Sequence, residues 1–282
     1  MSWLLDLSLL SILVVTGAVL YALGLRQRLA TGRRRAELWR RTALLAAALV
    51  LLDLALCPAF DRYADESLTM HMLQHVVLIA IVPPLIVLAA PWLIVWRALP
   101  LDARRSTARA VLRLPAGVRR GLRGLISPVV AFSLITIDLA LWHVPALYDL
   151  TLRNGAVHDL EHASFLAFGV LWWIPILDSP PLHARLGQLG RAAYAGAGMA
   201  TGWLLALVLA FASAPLYAAY ADLPRRLGGV SALSDQQLAA GVMLGIGSIP
   251  YTIAVFVFVY RWLEEERPAV TRRTALTTSS ER

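Results

Sequence analysis

The sequence contains no lysine and a single cysteine, Cys57, in 282 residues, and only 16% of its residues are charged. One cysteine excludes an intrachain disulfide and any cysteine-based zinc module. The scarcity of charge excludes an ordinary soluble domain. Hydrophobic residues make up 59% and mean hydropathy is +0.65, which suits a polytopic membrane protein. All the positive charge behind the net +8 is arginine. These arginines cluster between apolar runs, so they mark membrane orientation and not a nucleic-acid surface.

Seven apolar runs have spanning length: Leu7–Leu25, Thr42–Phe60, Leu68–Trp96, Ile126–Leu147, Val157–Leu177, Ala192–Tyr217 and Leu238–Trp262. The expected fold is an all-α integral membrane protein, a bundle of about seven transmembrane helices. Residues 1–263 would form that domain, and 264–282 a polar, disordered cytoplasmic tail. Leu7–Leu25 lacks a basic leader and a small-residue cleavage site, so it reads as a retained helix. Pro83-Pro84 should kink or break the third span. The arginine-rich connection Arg97–Gly124 fits a helix on the lipid surface or a solvated basic loop. Small residues Ala195, Gly196, Ala197, Gly198 and Gly202 in the sixth span permit close helix packing.

The connections after spans one, three and five hold 7, 8 and 2 arginines, and the end of span seven with its tail holds 5 including Arg261, 22 of the 26. The positive-inside rule then places the N-terminus outside and the tail in the cytoplasm. That orientation gathers the histidines. His71 and His75 fall at the outer end of span three and His158 and His162 at the outer end of span five. Both pairs have i, i+4 spacing, which puts two rings on one helix face. His143 lies near the outer end of span four, and only His183 falls on the other side.

A lone interfacial histidine is ordinarily a hydrogen-bonding side chain. Two such pairs plus His143 in one leaflet point instead to a shared site for copper or haem iron. Met72 and Cys57 are additional candidate ligands, although Cys57 also fits a small buried apolar role. Asp53 and Asp138 are costly in hydrocarbon and should face the bundle interior, orienting histidines or relaying protons. Glu161 could do the same, or stand as a solvated carboxylate at a helix start. Trp142, Trp172 and Trp173 fit packing and interface anchoring.

Several motifs together resemble a known family. His71-Met72-Leu73-Gln74-His75 followed by Pro83-Pro84-Leu85 and Ala90-Pro91 looks like the polytopic CtaG family of cytochrome c oxidase assembly factors, of the caa3 type. Leu141-Trp142-His143-Val144-Pro145-Ala146-Leu147-Tyr148, the segment His158–Phe165, and Asp235-Gln236-Gln237-Leu238-Ala239-Ala240-Gly241 are similar to its other signatures, in order. The resemblance implies a multi-pass plasma-membrane protein of bacterial type that helps mature a haem–copper oxidase, with copper handling as the expected role. Its partners would be the bilayer and oxidase subunits or other assembly factors.

The leading expectation is therefore a non-enzymatic factor that binds or delivers Cu(I) through His71, His75, His143, His158 and His162 on the outer side. The alternatives are a haem-binding protein with bis-histidine ligation and an ion or proton transporter using Asp53, Asp138 and the histidines. Hydrolysis is not expected, because Met72 stands where the catalytic glutamate of a His-Glu-x-x-His zinc protease would be.

Overall fold

The structure, a computed structural model, describes residues 16–29, 35–181 and 186–280, with only the backbone described beyond 267. Among these residues the chain is all α-helical, with no β-strand. Helix α1 covers 16–29 and α2 covers Arg35–Leu56; α3 (Pro58–Glu66) and α4 (Leu68–Ala89) follow. Next come α5 (Pro91–Ala98), α6 (Leu101–Arg113), α7 (Ala116–Leu125), α8 (Pro128–Trp142) and α9 (Pro145–Arg153). The last four long helices are α10 (Gly155–Trp173), α11 (Gln188–Phe211), α12 (Ala232–Leu244) and α13 (Ile249–Ser280).

Proline sets many of the boundaries. Pro58, Pro91, Pro128 and Pro145 each open a helix, where a missing N–H costs nothing. Ser67, Ser127, Asn154 and Ser231 cap α4, α8, α10 and α12 by accepting from backbone N–H groups of the first turn. Pro83-Pro84 does not break its helix. Val77–Ile81 forms a π-turn immediately upstream, and the helix then continues to Ala89. The looser turn re-spaces the backbone hydrogen bonds where the proline pair would interrupt them. The break comes instead at Ala90, whose φ of 45° is left-handed, just before Pro91.

By length and apolarity, three helical stretches among the described residues can cross a bilayer: Leu68–Ala89, Gln188–Phe211 and Ala232–Arg267. The number rises to five if each bent pair counts as one span. These pairs are α2 with α3, bent by 52°, and α7 with α8, bent by 65°. The expected count of seven is not reached on this measure. Residues 7–15 of the run Leu7–Leu25 lie outside the described residues, as does His183, and the 19-residue α10 carries Asp159 and Glu161 near its start. The connection expected as a surface helix or basic loop forms two helices, α6 and α7, with no buried residue in either. At the start of α2, hydrogen bonds from Arg40 and then Arg41 hold the Glu37 carboxyl down at about 2. Helix α13 runs to Ser280.

The outside of the bundle is apolar. Phe211, Val129 and Phe256 are 83%, 76% and 71% exposed, a surface that suits lipid and not water. Inside, Trp172, Trp173, Ala195 and Phe258 pack with Tyr194 and Tyr251. A second cluster joins Leu68, Met72, Tyr148, Leu209, Tyr217 and Tyr220, and a third joins Leu78, Trp142 and Phe165. Lipid tails are as apolar as leucine, so such helices are held by close packing more than by escape from water. Gly198 shows this. A Cβ there would overlap the Trp172 indole, whereas at Gly196 and Gly202 it would meet nothing within 4 Å. Gly198→Ala is expected to cost about 1–3 kcal/mol by overpacking, read as a lower thermal midpoint in detergent. Gly202→Ala on the same helix should not lower the midpoint.

Candidate metal centre

The centre is built where three helix ends meet. The Asp235 carboxylate on α12 fastens the start of α4. It accepts from Ser67 Oγ (2.9 Å), Leu68 N (2.7 Å), Thr69 N (3.1 Å) and Thr69 Oγ1 (2.6 Å). The anion thus satisfies amide groups that every helix start leaves without intrahelical partners. His71 and His75 follow within the next two turns, both buried, with ring centroids 4.5 Å apart. Helix α10 brings His158 and His162, 4.0 Å apart, while His143 sits at the end of α8. The sets interlock: His71 lies 5.1 Å from His158, and His75 lies 5.5 Å from His162 and 6.2 Å from His143. All five imidazoles expected from the sequence are therefore brought together.

Hydrogen bonding assigns two of the tautomers. The single proton of the Tyr220 hydroxyl goes to Ala64 O at 2.6 Å, so the 2.8 Å contact with His71 requires Nδ1–H of His71 to donate. His143 Nδ1 likewise faces the Leu139 carbonyl at 2.8 Å and must donate to it. Both rings are left with a bare Nε2 lone pair, and neither Nε2 has a partner. This is the arrangement in which a histidine ligates through one nitrogen while the other is anchored.

The remaining donors are equally unspent. His75 Nδ1 and Nε2, His158 Nε2, His162 Nε2, both oxygens of Glu161 and the Tyr148 hydroxyl are buried without hydrogen bonds. Each such atom costs about 1–3 kcal/mol if left so, which makes this cluster a poor structural core and a good cation cage. One ligand atom each from His71, His75, Glu161 and His162 all lie within 4.8 Å of one another. Glu161 is fully buried, 3.6 Å from His75 Nε2. The solvated role at a helix start is therefore corrected: α10 begins at Gly155, so Glu161 is already in its second turn and faces inward with His162 beside it.

Residues 19–265 match the family described as cytochrome c oxidase caa3 assembly factor (Caa3_CtaG). The chain belongs to this family. Among curated proteins, the chain is similar to the uncharacterized protein Mb0105 of Mycobacterium bovis and the uncharacterized protein MT0111 of Mycobacterium tuberculosis. Each is 26% identical over 267 residues, covering 92% of this chain. The chain spans 40% of the length of each of these relatives. No solved structure matches it.

Other residues of this Caa3_CtaG chain stand differently from expectation. Asp53 is exposed on α2 beside exposed Val50 and Leu54, not turned into the bundle. It lies one turn before the α2–α3 bend. Cys57 is half-buried at that bend, its thiol donates to Leu54 O at 3.3 Å, and it is not among the residues whose ligand atoms group together. Asp138 is buried but orients no histidine. It accepts from Trp142 Nε1 (2.9 Å) and Ser164 Oγ (3.2 Å), tying α8 to α10. Met72 is fully buried and lines a small apolar cavity with His75 and His143. Sequence reasoning missed Tyr148, Tyr220 and Asp235 as parts of the site. Tyr148 and Asp235 stood in motifs already noted, but no periodicity links residue 235 to residue 68.

Proposed function

We propose that the chain serves oxidase maturation by binding copper as Cu(I) in the histidine cluster and passing it to the oxidase or a partner factor. The observation that carries this reading is the convergence of buried, unpartnered imidazole lone pairs, two of them fixed by hydrogen bonds at the opposite nitrogen. His71, His75, His162 and Glu161 would hold the ion, with His143 and His158 as neighbouring donors. Imidazole and carboxylate also suit zinc. Charge balance favours the monovalent ion, because one buried carboxylate neutralises one positive charge, and residual charge inside a bundle is costly.

The ligand exchange that a delivery factor needs is favoured by having more imidazoles than a metal requires. Arginine distribution would put the site on the extracytoplasmic side of a plasma membrane. Haem receives less support, since the imidazoles touch one another and bis-histidine ligation needs a flat slot between two rings. A transporter relay receives less as well, with Asp53 on the outside and Asp138 engaged by Trp142 and Ser164.

The test is elemental analysis of the full chain purified in detergent, alongside oxidase activity in a deletion strain. Copper in about one equivalent, with oxidase activity restored by added copper, supports delivery. A Soret band, zinc alone, or no metal would overturn the copper reading.

A further inference from the structure

Beside the buried cluster lies a cleft of about 300 Å³ lined by Leu56, Asp61, Leu78, His158, Asp159 and His162, with Ala163 and Leu166. It is large enough to admit water and a partly hydrated ion. Two carboxylates stand in its wall. Asp159 is exposed at the start of α10. Asp61 is held in place by Gln74, whose side-chain amide donates to Asp61 Oδ1 at 2.8 Å and to Ala55 O at 2.7 Å. Gln74 sits between His71 and His75 on α4, so the acid is registered to the ligand helix.

The back of the cleft is His162, 7% exposed, with its Nε2 unpartnered. His158 is half-buried and lies between the two zones. It faces the cleft beside Asp61 and Asp159, yet its ring is 4.0 Å from His162 and 5.1 Å from His71. It is not one of the four residues whose ligand atoms fall within 4.8 Å of each other.

We infer that this cleft is the uptake path for the metal cation: Asp61 and Asp159 attract it, His158 receives it, and His162 hands it inward to His71, His75 and Glu161. The inference rests on the metal-binding reading above and adds direction and order to it. The acids act through the field and not as permanent ligands. Clefts of one charge sign raise association rates of oppositely charged partners by about 10–1,000-fold, with steep salt dependence. For a monovalent ion and two carboxylates the low end applies.

The experiment uses the full chain in detergent under anaerobic conditions, with Cu(I) supplied as its cationic acetonitrile complex. Uptake is stopped at intervals with a chelator and bound copper is counted, at low and high sodium chloride. Asp61→Asn/Asp159→Asn should bind the wild-type amount of copper at equilibrium but take it up about tenfold more slowly at low salt, with the salt dependence largely gone. Asparagine at 61 keeps an oxygen for Gln74, and Asp159→Asn alone, at an exposed position, should give part of the effect without touching the fold. His158→Ala should slow uptake at both salt concentrations. Wild-type uptake rates in the acid variants would overturn the path while leaving the metal site standing, and so would slower uptake with an unchanged salt dependence. A wild-type chain that binds no copper would remove both.

Discussion

His71→Ala/His75→Ala is expected to lower bound copper from about one equivalent to near zero. The two rings supply half of the four ligand residues that lie within 4.8 Å of one another. Losing even a partner that only orients a metal ligand costs about 10–100-fold in affinity, and removing two ligands outright should cost more. The substitution also deletes orphaned buried nitrogens, so the protein should not lose stability in proportion to the buried volume removed. Elemental analysis with a thermal melt in detergent separates the two effects. A His71→Gln/His75→Gln companion keeps most of the volume and should lose copper equally. Retention of wild-type copper by either variant would rule out this pair as ligands.

Asp235→Ala is expected to destabilise the fold by about 3 kcal/mol and to lose copper as a consequence. Four hydrogen bonds end on this carboxylate, two from backbone amides and two from hydroxyls. Side-chain hydrogen bonds in membrane proteins average about 0.6 kcal/mol, so four give a floor of roughly 2–3 kcal/mol. Bonds to a charged acceptor reach about 1.5–3 kcal/mol each, which sets the ceiling well above that floor. Asp235→Asn keeps one acceptor oxygen but turns an N–H₂ toward existing donors, so it should fall between wild type and alanine. The measurement is unfolding of purified protein in mixed detergent, followed on α-helical circular dichroism. A loss below about 1 kcal/mol for alanine would show that α4 does not depend on this cap.

The helical class and the grouping of the five histidines were legible because both are periodic: apolar runs, and i, i+4 pairs at equivalent ends of spans. What was not legible depends on which way a side chain turns. Glu161 sits one position from His162 near a helix start, where most carboxylates are solvated, but the packing of α10 on α4 turns it inward. Asp53 instead lies on the exposed face of α2, beside Val50 and Leu54, an orientation that no residue pattern announced. Asp138 found Trp142 one helical turn away, a local partner that outcompetes any distant imidazole. The Pro83-Pro84 pair was absorbed by a π-turn, a backbone option that residue patterns do not announce. The tautomers of His71 and His143 depend on Ala64 and Leu139 carbonyls, which every residue type possesses.

The Asp235 fastening also bears on synthesis. Leu68 meets its acceptor 167 residues later in the chain, so while the earlier spans enter the membrane the start of α4 has no such anion to hold it. The backbone amides at Leu68 and Thr69 stay without that acceptor, and His71 stays unaligned, until α12 has been made and inserted. Tyr220, which fixes the His71 ring, arrives only shortly before. A partly made chain therefore carries the histidines before the groups that position them. On the copper reading proposed above, the site is complete only once the protein is.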